Sequence, residues 1–178
     1  GGQGRDRLYG GSGDDGLYPG DNQDYAVRGE GQHYLDGGSG YDFVYYNNLD
    51  FGIYTNLGDA GLTGNADWRE TGDFFVDVEG LVGTSYRDIL IGNGGDNWIY
   101  GLGGDDLIDA GSGTSMPPGV HFIGGGGNDT LQGGSGNDWL YGDEGNDILR
   151  TYSGGDHAFG GSGNDKFEVV GDPFLDWY

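Results

Sequence analysis

Aspartate returns along this chain at one place in a nine-residue frame. In G-G-x-G-x-D-x-U-x, with U apolar, the complete copies place Asp6, Asp15, Asp42, Asp129, Asp138 and Asp165 at the sixth position. Decayed copies in the same frame place Asp24, Asp88, Asp106, Asp147 and Asp156 there, while His33 and Asn97 take the position in two others. Carboxylates set in glycine-rich turns, among backbone carbonyls, form all-oxygen sites that suit a hard cation such as Ca2+. The preference for Asp over Glu points the same way, because the shorter carboxylate is favoured in turns and in such sites. No catalytic constellation accompanies it. There is no cysteine, no HExxH and no nucleophile elbow. The G-x-G strings recur every nine residues without opening a helix, so they are not phosphate loops. The chain reads as a binding module and not an enzyme.

The elements that hold these carboxylates must be built from an unpromising composition. Of 178 residues 44 are Gly, and 30 acidic residues against 7 basic give a net charge of -23. Such a balance usually signals disorder, but an aromatic content of 14% argues for a packed structure. The charge repels nucleic acid and anionic membranes. No apolar run is long enough to span a membrane, and the opening "GGQGRDRLY" does not read as a signal peptide. Both ends, the second being "DPFLDWY", read as cut from something longer.

The recurring nonapeptide resembles the RTX (repeats-in-toxin, haemolysin-type calcium-binding repeat) family over most of the chain. The resemblance implies an all-β fold, a parallel β-roll or solenoid. Six residues make a turn, three make a strand, and two nonapeptides complete a coil. The residues agree with it. The centre of each three-residue strand points opposite to its neighbours, and that position is Leu8, Leu17, Ala26, Leu35, Val44, Leu90, Ile99, Ile108, Phe122, Leu131, Leu140, Leu149, Ala158 and Phe167. One inward side chain per repeat makes a thin core, too small to offset the entropy of ordering so many glycines. The expected layout is a first roll over 1–45, a linker with short strands over 46–82, a second roll over 83–168 with an insertion near 114–119, and a tail over 169–178. In the linker, "FGIYTNL" and "FFVDVEGLV" read as strands. The segment resembles those joining repeat blocks in the adenylate cyclase toxin group of large RTX proteins.

If two repeats make a coil, repeats of one parity stack along one edge. One edge of the second block then reads Asp88, Asp106, Asp129, Asp147, Asp165, and the other Asn97, Ser115, Asp138, Asp156. The first block reads Asp6, Asp24, Asp42 on one edge and Asp15, His33 on the other; His33 marks a lost site or a transition-metal ligand. The RTX resemblance implies that each ion sits between two stacked turns. Its ligands are both Asp side chains, carbonyls from positions 2 and 4 of one turn, and carbonyls from positions 1 and 3 of the next. For Asp106/Asp129 those carbonyls belong to Leu102, Gly104, Gly124 and Gly126; for Asp129/Asp147, to Gly125, Gly127, Gly142 and Glu144. For Asp147/Asp165 they belong to Asp143, Gly145, Gly160 and Ser162; for Asp138/Asp156, to Gly134, Gly136, Thr151 and Ser153. Asp88/Asp106 and the first-block pairs are weaker, since the turns at 19 and 83 lack their glycines. About five to seven Ca2+ ions are expected in all.

Positions 7 and 9 point outward. The even repeats of the second block line up Trp98, His121, Trp139 and His157 in one column and Tyr100, Ile123, Tyr141 and Phe159 in another. A contiguous apolar face marks a contact surface, either covered by the linker or open to a sugar or protein receptor. His121 and His157 lie two coils apart, roughly 9.6 Å, too far to share one zinc ion. The resemblance implies a module that folds on Ca2+ outside the cell after its parent protein, toxin-like, passes the type I secretion machinery. The alternatives are a Ca2+-stiffened segment of a surface adhesin or surface-layer protein, and the receptor-binding part of a toxin.

Overall fold

The structure, a computed structural model, describes residues 7–12, 16–17, 34–58, 69–70, 73–111 and 119–170. These form an all-β parallel roll, as the repeat predicts, with no helix among the described residues. One seven-stranded sheet holds, in spatial order, β16 (His157–Ser162), β14 (Trp139–Glu144), β12 (His121–Gly126), β10 (Trp98–Gly103), β8 (Gly80–Val82), β4 (Phe43–Tyr45) and β2 (Gly16–Leu17). The other holds β17 (Lys166–Val169), β15 (Ile148–Thr151), β13 (Thr130–Gln132), β11 (Leu107–Asp109), β9 (Ile89–Ile91), β5 (Ile53–Asn56) and β6 (Arg69–Glu70). A three-stranded sheet adds β1 (Arg7–Ser12), β3 (Tyr34–Ser39) and β7 (Phe74–Val76).

Alternation within each short strand builds the core. In β9, β11 and β13 the middle residue, Leu90, Ile108 or Leu131, is buried and its neighbours are half-buried. Ile99, Phe122 and Leu140 meet them from the facing sheet. Phe167 holds the same position at the end of the stack and is 44% exposed. The strands of the first sheet are longer than the three residues expected. β10, β12, β14 and β16 each run on through half of the following turn, with Leu102 paired to Gly125 and Gly103 to Gly126. Identical turns stacked in register can hydrogen-bond to one another, so that half of the turn becomes sheet.

Two expected stackings are corrected. Arg7 pairs with Tyr34 and Gly16 with Phe43, three repeats on and not two. The strand after Asp42 therefore stacks on the strand after Asp15, and the edge Asp6–Asp24–Asp42 is not formed as read. The intervening copy has Pro19 and Asn22 where the motif has turn glycines. Asp6, Asp15, Asp24, Ala26 and His33 lie outside the described residues. The second correction concerns the insertion. Ser115 also lies outside the described residues, and the residue preceding β12 at the sixth position is Val120. Val120 receives the N–H of Trp139, as Asp138 receives that of His157. The five added residues move the frame, and an apolar side chain occupies the acidic position.

The non-repeat segment joins the blocks by supplying rungs of its own. β8 lies between β4 and β10, and β5 pairs with β9. The turn from β7 to β8 is cut to Asp77, Val78 and Glu79, which sets Glu79 at the sixth position before β8. Turn geometry depends on particular glycines. Gly127 has φ 142°, and a Cβ there would run into the Gly104 carbonyl, whereas a Cβ on Gly126 would meet nothing within 4 Å. Gly127→Ala is expected to lower stability in saturating calcium by about 2 kcal/mol or more. Gly126→Ala should stay within about 0.5 kcal/mol of the parent. Urea unfolding monitored by tryptophan fluorescence measures both.

Candidate calcium sites along the turn edges

Where the turn begins with glycine, the sixth-position Asp folds back over it. A Cβ on Gly101, Gly124, Gly142, Gly160 or Gly133 would collide with the Oδ2 of Asp106, Asp129, Asp147, Asp165 or Asp138 respectively. The first-position carbonyl of the next coil borders the same space: Gly124 O beside Asp106, Gly142 O beside Asp129 and Gly160 O beside Asp147. The glycine is thus the vacancy into which the carboxylate turns.

The other carboxylate oxygen ties the coils together. Oδ1 of each Asp accepts the backbone N–H of the sixth-position residue one coil earlier. Asp88 donates to Asp106 at 2.7 Å, Asp106 to Asp129 at 2.8 Å, Asp129 to Asp147 at 2.8 Å and Asp147 to Asp165 at 3.0 Å. On the opposite edge Val120 donates to Asp138 at 3.1 Å and Asp138 to Asp156 at 3.0 Å. Oδ2 of Asp106, Asp129, Asp138 and Asp147 is buried and has no hydrogen-bond partner. Burial pushes the Asp106 carboxyl up to about 8, that of Asp138 to about 7 and that of Asp129 to about 6; it also raises Asp147. A buried oxygen among carbonyls must be neutralised by a proton or met by a cation.

The donor set fits Ca2+. The oxygens are hard, carboxylate and carbonyl together, and they recur between stacked turns. The expected third-position carbonyls, Gly126, Glu144, Ser162 and Ser153, each accept the fourth-position N–H of the preceding coil at 2.7 to 2.9 Å. A carbonyl has a second lone pair, so this bond leaves each of them able to face a cation. Leu102 and Asp143, expected second-position ligands, hold φ of 81° and 74° without being glycine, and their carbonyls lie over Gly125 and Gly161. Gly134 and Gly136 adopt φ of 86° and 130° beside the bridge between Ser135 and Ser153, and Thr151 is buried in β15. Gly145 matches Gly127, its φ of 139° bringing its Cα against the Gly127 carbonyl.

Two candidates stand apart. Both Asp88 oxygens are satisfied by protein, Oδ2 by the Thr84 N–H and Oδ1 by the Thr84 hydroxyl and the Ile53 N–H. Asp42 is buried and gives its N–H to the Glu79 carboxylate at 3.0 Å, so Glu79 takes the place of the next coil's aspartate. Reading by motif misses Glu79, because only strand pairing puts it in register. It also misses a second ladder at the fifth position, although the recurring "ND" carried the signal. Asn128 donates to Asp105, Asn146 to Asn128 and Asn164 to Asn146, all at 2.8 to 3.1 Å. Gly155 donates to Asn137 on the other edge.

The sequence matches the RTX calcium-binding nonapeptide repeat (4 copies) over residues 1–26, 82–116, 123–158 and 150–168, more than half of the chain. The chain belongs to the RTX calcium-binding repeat family. No curated protein matches it. RTX repeats bind calcium, which agrees with the oxygen-only turns described above.

The outward faces of this RTX roll differ. On the first sheet Trp98 stacks on His121 with ring centroids 4.3 Å apart, Trp139 on His157 at 4.1 Å and Tyr141 on Phe159 at 5.0 Å. Tyr100 reaches Phe43, and Ile123 lies between Tyr100 and Tyr141 in the register. On the second sheet position 9 is polar from β11 on: Gln132 donates to Asp109, and Arg150 bonds Gln132 and Glu168.

Asp129 belongs to two stacked pairs and Asp156 to one. Calorimetric titration should therefore show a larger loss of bound calcium for Asp129→Asn than for Asp156→Asn. A second outcome concerns protons. Asp106, Asp129 and Asp138 hold theirs more tightly in the fold than in the open chain, so the metal-free fold loses stability as pH rises from about 4 to about 8. Circular dichroism in chelator should show β structure growing as pH falls through this window.

Proposed function

We propose that this chain is a folding module that calcium switches on outside the cell, within a larger toxin-like protein exported by a type I secretion system. The observation that carries the reading is the set of buried carboxylate oxygens without partners, repeated coil after coil. Without a cation they and the net charge of -23 oppose folding. With one, each gap between turns gains an oxygen-coordinated centre in which the cation offsets the carboxylate charge. Calcium at about ten times Kd contributes about 1.4 kcal/mol per independent site. Several such sites together approach the stability of a whole domain, about 5–15 kcal/mol. Asp106/Asp129, Asp129/Asp147, Asp147/Asp165 and Asp138/Asp156 are the pairs we assign to calcium. Residues 1–45 and 83–168 are read as the repeat blocks, with 46–82 as the bridge and 169–178 as a tail.

Ring stacking bears on the aromatic face. A sugar binds an aromatic platform through the open face of a ring, and here neighbouring rings already occupy those faces. The columns are better read as a zipper along the roll than as a receptor platform. A second reading, a calcium-stiffened spacer in a surface adhesin, draws on a different observation: both long sheets run without interruption through the non-repeat segment. Far-ultraviolet circular dichroism during calcium titration tests the main reading. Strand signal should rise cooperatively with calcium and fall on chelation. Full strand content in excess chelator at pH 7.5 would overturn it.

A further inference from the structure

At Asp88 the acid ladder reaches a coil whose polar groups are met by the protein itself. Thr84 gives Asp88 its backbone N–H at 2.6 Å and its hydroxyl at 3.0 Å, and Ile53 adds an N–H at 2.8 Å. Across the roll, Asn97 stands where the repeats have Asp. Its Oδ1 accepts the Asn93 N–H at 3.0 Å, and its amide nitrogen donates to the Glu79 carbonyl at 3.2 Å. The Glu79 carbonyl also accepts the Trp98 N–H, so the Asn97 side chain is held by groups of the protein itself. One coil further, Val120 removes the polar group altogether.

The same region has the widest apolar packing. The non-repeat segment brings Tyr46, Leu49, Ile53, Leu57, Val78 and Leu81, all buried, into one cluster with Leu90 and Ile99. The Tyr46 hydroxyl is held by Asp73 in the interior. Beyond β10 each strand offers at most one inward apolar side chain, and the buried oxygens of Asp106, Asp129, Asp138 and Asp147 lie on that side, while at the junction the buried Asp42 lies against Glu79. Hydrophobic burial and satisfied hydrogen bonds are concentrated at the junction, and unmet charge is concentrated in the C-terminal coils.

We propose that residues 42–58 and 78–100 form a calcium-independent nucleus, which stays folded when the coils from 119 to 169 have lost their cations and presents the edges of β9 and β10 as templates for them. The proposal rests on the calcium-dependent reading above and assigns its starting point. A preformed edge fixes register and removes the cost of closing the first coil, so each ion captured adds a coil to an existing one.

Hydrogen exchange with mass spectrometry on the whole chain, in excess chelator and in calcium, separates the possibilities. In chelator, amides of 46–57 and 81–99 should exchange at least about tenfold more slowly than those of 121–169; in calcium both sets should be protected. Thr84→Val, which keeps the shape and removes the hydroxyl from Asp88, should erase the difference in chelator and leave 121–169 protected in calcium. Rapid exchange throughout in chelator overturns the nucleus and leaves calcium-dependent folding standing. Slow exchange throughout in chelator overturns that reading and the nucleus with it. A junction as protected in Thr84→Val as in the parent overturns the role given to the Asp88 coil.

Discussion

A carboxylate oxygen sealed among carbonyls is the constraint on which this structure turns. The glycines at the first turn position exist to admit that oxygen, and the backbone ladder exists because its partner oxygen reaches the preceding coil. Removing the glycine would displace the carboxylate, and removing the carboxylate would leave N–H groups of the earlier coil without acceptors. An apolar core could not substitute, since one inward residue per strand buries little area. The fold therefore depends on a charge it does not itself neutralise.

Most of the fold was legible because its period is strict. The apolar eighth position, the turn glycines and the Asp edge from 88 to 165 all follow from one nine-residue frame, and the strands pair in that order. What escaped the frame did so for physical reasons. Where turn glycines are missing, near Pro19 and Asn22, the pairing partner changed from two repeats away to three. Where residues are inserted, the sixth position moved to Val120. In the non-repeat segment no motif could announce that Glu79 stands in register with Asp42, because a three-residue turn replaces a six-residue one. A sequence frame reports stacking only while every turn has the same length. The carbonyl ligands are implied by likeness and compatible with the geometry, but the sequence alone carries no trace of a backbone oxygen.

The edges and faces divide the labour. The second sheet's edge carries an unbroken run of carboxylates from Asp88 to Asp165, while the first sheet's edge is interrupted by Asn97 and Val120. The interruption lies near the insertion and beside the wide apolar cluster, where packing supplies what coordination supplies elsewhere. A roll does not need both edges charged in every coil, because each coil is covalently continuous through both.

Three other ladders run parallel to the acidic one, and none needs a metal: the asparagines at position 5, the stacked rings of the first sheet, and the Asp109–Gln132–Arg150–Glu168 row of the second. Each links like positions in successive coils, so each is satisfied only when the coils align residue for residue. Individually such contacts contribute little, about 0.2–1 kcal/mol. Their common property is that a slip by one residue breaks all of them at once. They select the register and the carboxylate edge conditions the folding. A chain in which a quarter of the residues are glycine has weak local preferences for any one pairing, and redundancy among ladders is how repeated, nearly identical segments come to stack on the right neighbour.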